Sequence, residues 1–177
     1  MLALLGAGSS SCLKAPDFPV EPSVDFNNVR LVRRPLPTPN SIEVDDVFIT
    51  LDFRDGDGDL GLDPDDIKVP PFNTSTGGPN NLGYGYNYYA KPFKKVNGVF
   101  RPLAANGAYD GRYPRLEGSV DGKSAPLKGN MTFKLPAIIL DGVTFDTGDV
   151  VRFEVSILDR KLHQSNVVTT SEFVLGR

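Results

Sequence analysis

The sequence predicts an all-β protein, an antiparallel β-sandwich of about eight strands. Three observations carry that expectation. Two stretches alternate apolar and polar residues with a period of two, the signature of half-buried strands. Turn formers punctuate the chain throughout, with 18 Gly and 15 Pro in 177 residues. No stretch repeats its apolar residues at the helical spacing. A short barrel is the alternative closure of the same strands.

The first apolar stretch comprises Val24, Phe26 and Val29 to Val32. It ends at Arg33-Arg34-Pro35-Leu36-Pro37, where proline bars a central strand. In Ser41 to Arg54, Val47, Ile49, Leu51 and Phe53 alternate with Phe48, Thr50, Asp52 and Arg54. Val69 to Gly83 is rich in turn formers and lacks periodicity, so it reads as a loop. Tyr84 to Val96 and Val99 to Leu103 flank Asn97-Gly98, a strong hairpin signal because both central turn residues need positive φ. Tyr109 to Val120 is a weaker strand, broken by Gly111, Pro114 and Gly118. Leu127 to Leu135 alternates at Met131, Phe133 and Leu135. Asp141-Gly142 and Thr147-Gly148-Asp149 are turns. In the clearest strand, Val151, Phe153, Val155 and Ile157 alternate with Arg152, Glu154, Ser156 and Leu158. Asn166 to Leu175 closes the chain. With 40% hydrophobic residues, this length supports one domain with a sizeable core.

Net charge is −3 and the pI is about 5.1, so no basic footprint for nucleic acid exists. A single cysteine, Cys12, excludes an intrachain disulfide. It follows Met1 to Ser11, an apolar run that passes into small residues. That order resembles the end of a bacterial lipoprotein signal peptide, in which the cysteine is lipidated and becomes the mature N-terminus. No Lys or Arg precedes the run, and a start placed further upstream would supply one. The expected layout is therefore a signal peptide over 1–11, the lipidated Cys12 and a linker over 12–23, and the sandwich over 24–177. Pro16, Pro19 and Pro22 give that linker polyproline II character, good for about 30 Å over ten residues.

The most chemically explicit segment is Asp55-Gly56-Asp57-Gly58-Asp59-Leu60-Gly61-Leu62-Asp63-Pro64-Asp65-Asp66. Carboxylates this dense repel one another unless a cation joins them. Calcium takes about 6–8 oxygen ligands. The expected ligands are Asp55, Asp57, Asp59, the Gly61 carbonyl, Asp63 and Asp66, with the glycines letting the chain curl around the ion. The spacing resembles an EF-hand loop, but Leu60 stands where that loop needs glycine, and a strand leads in where a helix should. Mg²⁺ fits less well, because it demands stricter octahedral geometry. The bland reading is a solvated acidic turn, which needs fewer aspartates than this. A second polar stretch, Asp159 to Asn166, follows the clearest strand as the acidic loop follows its own. In a sandwich Asp159 could add a ligand, or Arg160 could pair with a loop aspartate. A plain hydrogen-bonded turn accounts for it equally simply.

Taken together, Cys12 with its Pro-rich linker, Phe53 to Gly61, and Val155 to Asn166 resemble a group of lipoproteins from Bacteroidetes bacteria. The resemblance covers most of residues 12–175. It implies an immunoglobulin-like sandwich in the cell envelope, anchored in the outer membrane, and it implies no activity. An acidic run behind the cysteine can direct surface export in that phylum. Leu13-Lys14-Ala15-Pro16-Asp17 does not match such a run, which favours the periplasmic face.

No enzyme is expected. His163 is the only histidine, no Gly-x-Ser-x-Gly elbow occurs, and one His with one Cys cannot build a zinc site. The acidic glycine loop would repel phosphate. Tyr84, Tyr86, Tyr88 and Tyr89 could form a sugar-stacking platform, but tyrosine also favours strands for its own packing. The resulting expectation is a lipid-anchored, calcium-stabilised module with a structural or protein-interaction role. Its alternative is a carbohydrate-binding lipoprotein.

Overall fold

A computed structural model describes residues 17–36, 42–104, 107–116, 119–120 and 123–177. Its strands are β1 (Ser23–Pro35), β2 (Glu43–Asp55), β3 (Tyr88–Val96), β4 (Val99–Pro102), β5 (Ser119–Val120), β6 (Lys123–Ser124), β7 (Leu127–Lys134), β8 (Ile138–Ile139), β9 (Val150–Ile157), β10 (Val168–Thr169) and β11 (Phe173–Val174). One sheet runs β1-β2-β7, with β8 also paired to β2. The other runs β10-β9-β3-β4, with β11 also on β9. All pairings between these strands are antiparallel. The two sheets pack face to face. Lettered along the chain, this is A-B-E against G-F-C-C′, the immunoglobulin-like order. Cys12 and the signal-peptide stretch lie outside the described residues.

The two alternating stretches became the central strands β2 and β9. Val47, Ile49 and Leu51 from β2 are fully buried, as are Val151, Phe153, Val155 and Ile157 from β9. They meet between the sheets in one core with Tyr88, Met131 and Leu135. Each such side chain removed from water contributes about 1.5–3 kcal/mol. β1 continues through Arg33 and Arg34 to Pro35 because it is an edge strand, where a missing N–H costs no ladder bond. Asn97 (φ 51°) and Gly98 (φ 80°) form the expected β3–β4 turn. The closing stretch is not one strand but two short ones, β10 and β11. Thr170 lies between them and replaces a ladder contact, its Oγ1 accepting the Phe153 N–H at 3.0 Å.

Candidate metal centre

Both central strands deliver an aspartate to the same end of the sandwich. β2 ends at Asp55, and β9 ends two residues before Asp159. The chain after β2 meets the chain after β9 through an antiparallel bridge between Leu60 and Asp159. The Arg160 N–H donates to the Asp59 carbonyl at 3.2 Å, and its guanidinium donates to the carbonyls of Leu60 and Gly61 at 3.1 and 3.2 Å. Leu62 and Leu116 add backbone bonds between this loop and the segment around Tyr113.

The glycines make the loop fit. Gly58 has φ +69°, and a Cβ there would be driven into the carbonyl of Ala125. Gly56 donates its N–H to the Pro19 carbonyl at 2.8 Å and lies flat against that carbonyl. The last part of the Pro-rich segment is thus docked on the acidic loop, rather than running free up to β1.

Asp55, Asp57, Asp59 and Asp159 each offer a carboxylate oxygen, and these four oxygens lie within 4.8 Å of one another. Asp55, Asp59 and Asp159 are 0%, 7% and 2% exposed, while Asp57 is half-buried. Two unit charges at that separation repel by about 3–4 kcal/mol at an effective dielectric near 20. Burial, opposed in Asp55 by the Asp59 N–H and reinforced by neighbouring carboxylates, raises its carboxyl to about 6. Burial, then Asp159 and the other two aspartates, raise Asp59 to about 6 as well. Burial also raises the Tyr113 phenol, which feels Asp55 and Asp159 next.

Asp159 is held through both oxygens, and Asp55 and Asp57 are each held through one. Asp55 Oδ2 accepts the Asp59 N–H at 2.9 Å. Asp57 Oδ2 pairs with the Lys161 ammonium. Asp159 accepts the His163 N–H on Oδ1 at 2.7 Å and faces His163 Nδ1 through Oδ2 at 2.8 Å. By contrast, Asp55 Oδ1, Asp57 Oδ1 and Asp59 Oδ1 are buried with no hydrogen-bond partner among the described residues. Native folds leave few buried polar atoms unsatisfied, and an ion-binding site is one standard cause.

The six ligands expected from the sequence therefore divide. Asp55, Asp57 and Asp59 converge. Asp63 and Asp66 do not enter the cluster. The Gly61 carbonyl accepts the Arg160 guanidinium at 3.2 Å. Asp63 and Asp66 pair with Arg115 Nε at 3.1 and 3.0 Å. That guanidinium holds the Asp66 carboxyl below the usual carboxylate range. Asp63 Oδ1 also accepts the N–H groups of Asp65 and Asp66, where the chain winds into a short 3-10 turn, Asp66–Lys68. Asp159 joins the cluster, the outcome that sequence left open. Arg160 pairs with carbonyls rather than with a loop aspartate. The signal for Asp159 lay in its position, a polar turn directly after the strongest strand. Nothing in the sequence marked Tyr113.

A scan of protein-family models, a search of curated proteins and a search of solved structures each found no match. Fold and site together define an immunoglobulin-like sandwich with a four-aspartate cluster able to hold a metal ion at one end.

Proposed function

We propose that this protein is a calcium-stabilised β-sandwich that serves the cell envelope as a lipid-anchored structural or interaction module. The observation that carries the calcium reading is the set of three buried, unpartnered oxygens on Asp55, Asp57 and Asp59 beside Asp159. An all-oxygen, all-carboxylate donor set suits a hard cation. Opposed ligands of one calcium ion stand about 4.6–5.2 Å apart, which the 4.8 Å spread accommodates. A site between the ends of β2 and β9 ties the two sheets together, so its occupant acts on the fold. No reaction is assigned to it. The anchor rests on the sequence around Cys12.

The test is thermal unfolding in Ca²⁺ and in EDTA. Ligand at 100 times its Kd adds about 2.7 kcal/mol. A melting temperature insensitive to calcium, with no binding by calorimetry, refutes the site. Cys12→Ser should release the protein from the membrane fraction; unchanged fractionation refutes the anchor.

The feature that supports the glycan-binding alternative is a groove rather than a platform of all four tyrosines. Tyr88 is fully buried and stacks on Phe133 at 4.2 Å, and Tyr89 is buried with its hydroxyl donating to the Tyr86 carbonyl. Tyr84 and Tyr86 are half-buried, and Tyr89 reaches the surface only along the groove. A groove of about 370 Å³ over β3 and β9 does present polar groups, among them Asn80, Asp110, Glu154 and Gln164. Its size is at the low end for small-molecule sites. Glycan-array binding abolished by Glu154→Ala and Gln164→Ala would support this reading. An array without signal removes it.

A further inference from the structure

The structure assigns His163 and Lys161 as positioning residues of the candidate cation site, His163 holding Asp159 through both oxygens and Lys161 holding Asp57 through Oδ2, so that both carboxylates stay in the four-aspartate cluster. This rests on the four-aspartate reading above.

The turn Asp159 to His163 reaches the cluster with two donors that face different carboxylates. His163 grips Asp159 twice, from its backbone N–H at 2.7 Å and from Nδ1 at 2.8 Å. The Asp159 side chain is fully buried, so no solvent competes for it, while the imidazole is about one-third exposed (36%). Leu162 at φ +70° bends the turn back so that both donors of His163 reach one carboxylate. The Asp159 N–H closes the same turn on the His163 carbonyl at 3.1 Å. Lys161, two residues earlier, pairs with Asp57 Oδ2.

The pattern has a direction. Asp57 gives Oδ2 to Lys161 and keeps Oδ1 buried and free. Asp55 gives Oδ2 to the Asp59 N–H and keeps Oδ1 buried and free. Each oxygen of Asp159 holds one donor and retains a lone pair. A cation can therefore bind the free Oδ1 atoms of Asp55, Asp57 and Asp59 and the remaining lone pairs of Asp159 without breaking any of these bonds. Donors that fix metal-ligating carboxylates in this way are commonly worth about 10- to 100-fold in affinity. Lys161 also lowers the charge of a four-carboxylate cluster, which limits repulsion before the ion arrives.

A competing role for Lys161 is an internal counter-ion that the cation must displace. The two roles predict opposite signs. If the ammonium competes, its removal tightens binding. If it positions Asp57, its removal weakens binding.

The experiment uses the full chain with Ca²⁺ for affinity and Tb³⁺ for coordination. Calorimetry gives the Kd. Luminescence lifetimes of bound Tb³⁺ in H₂O and D₂O count the waters in its inner sphere. His163→Leu is expected to weaken calcium binding by about 10- to 100-fold. It should also add one water to bound Tb³⁺, because a loosened Asp159 leaves a ligand position open. His163→Asn, whose amide can reproduce the Nδ1 donor, is expected to restore both. Lys161→Met is expected to weaken binding, and tighter binding overturns its positioning role. Wild-type affinity and hydration number in His163→Leu overturn the role of His163. Asp59→Asn separates the two levels. If wild type binds and Asp59→Asn does not, the site stands and only the positioning claim is at stake. If wild type itself binds neither ion, the site reading fails first.

Discussion

Replacing Asp59 with asparagine should stabilise the ion-free protein and abolish its response to calcium. Asp59 sits 7% exposed beside three other carboxylates, and its carboxyl is raised from 3.8 to about 6. A group with a raised folded-state value holds its proton more tightly when folded. For an acid, that stability is present below the unfolded value near 4 and declines as pH rises to about 6. Above that, the folded state carries a buried charge that the unfolded chain would leave in water. Raising a carboxyl by one pH unit corresponds to about 1.36 kcal/mol, so the full burden at neutral pH is about 3 kcal/mol. Relaxation and water entry reduce it, which leaves about 1–3 kcal/mol. Asparagine behaves as a permanently uncharged Asp59, and its amide can donate to the free Oδ1 atoms of Asp55 or Asp57. For a domain of this size, 1 kcal/mol moves the melting temperature by about 2–4 °C. Asp59→Asn should therefore melt roughly 2–12 °C above wild type at pH 7.5 in EDTA. In excess calcium, wild type gains and the variant does not, so the gap closes or reverses. Calorimetric or circular-dichroism melts of both proteins in both buffers supply the four numbers. A variant that melts below wild type in EDTA, or equal calcium shifts in both proteins, would refute the electrostatic account.

Three further predictions follow from the same structure. In EDTA, wild type should lose melting temperature from pH 4 to 6.5, since Asp55 and Asp59 both ionise near 6, while excess calcium should flatten or invert the slope; a flat profile without calcium contradicts the buried-carboxylate reading. Gly58→Ala should destabilise the fold and weaken calcium binding together, because φ +69° and the Ala125 carbonyl leave no room for a methyl group, and unchanged melting would show that the loop relaxes. Phe153→Ala should lose about 3–5 kcal/mol by denaturant titration, since this ring lies fully buried between Tyr109 and Phe173. A smaller loss there would mean that the core collapses around the gap.

By itself the sequence determined the class of fold and the location of the chemistry. Period-two alternation in Val47 to Phe53 and in Val151 to Ile157 is a direct image of strands with one face buried, so β2 and β9 were legible residue by residue. Asn97-Gly98 fixed a hairpin because few other residues tolerate its dihedral angles. The Asp-Gly repeat marked the candidate cation site, because carboxylates this dense repel unless a cation joins them. Only the tertiary structure decided which aspartates belong to it. Spacing along a chain reports where a side chain could reach if the loop stayed regular, and this loop does not. Arg115, 49 residues from Asp66, draws that aspartate and Asp63 out of the cluster. Asp159 comes in from the opposite sheet through a bridge to Leu60. Both events depend on pairing between remote segments, which leaves no trace in local residue order. His163 and Lys161 follow Asp159 for the same reason: their chemistry is visible in the sequence, but their partners are set by the way the two sheets close.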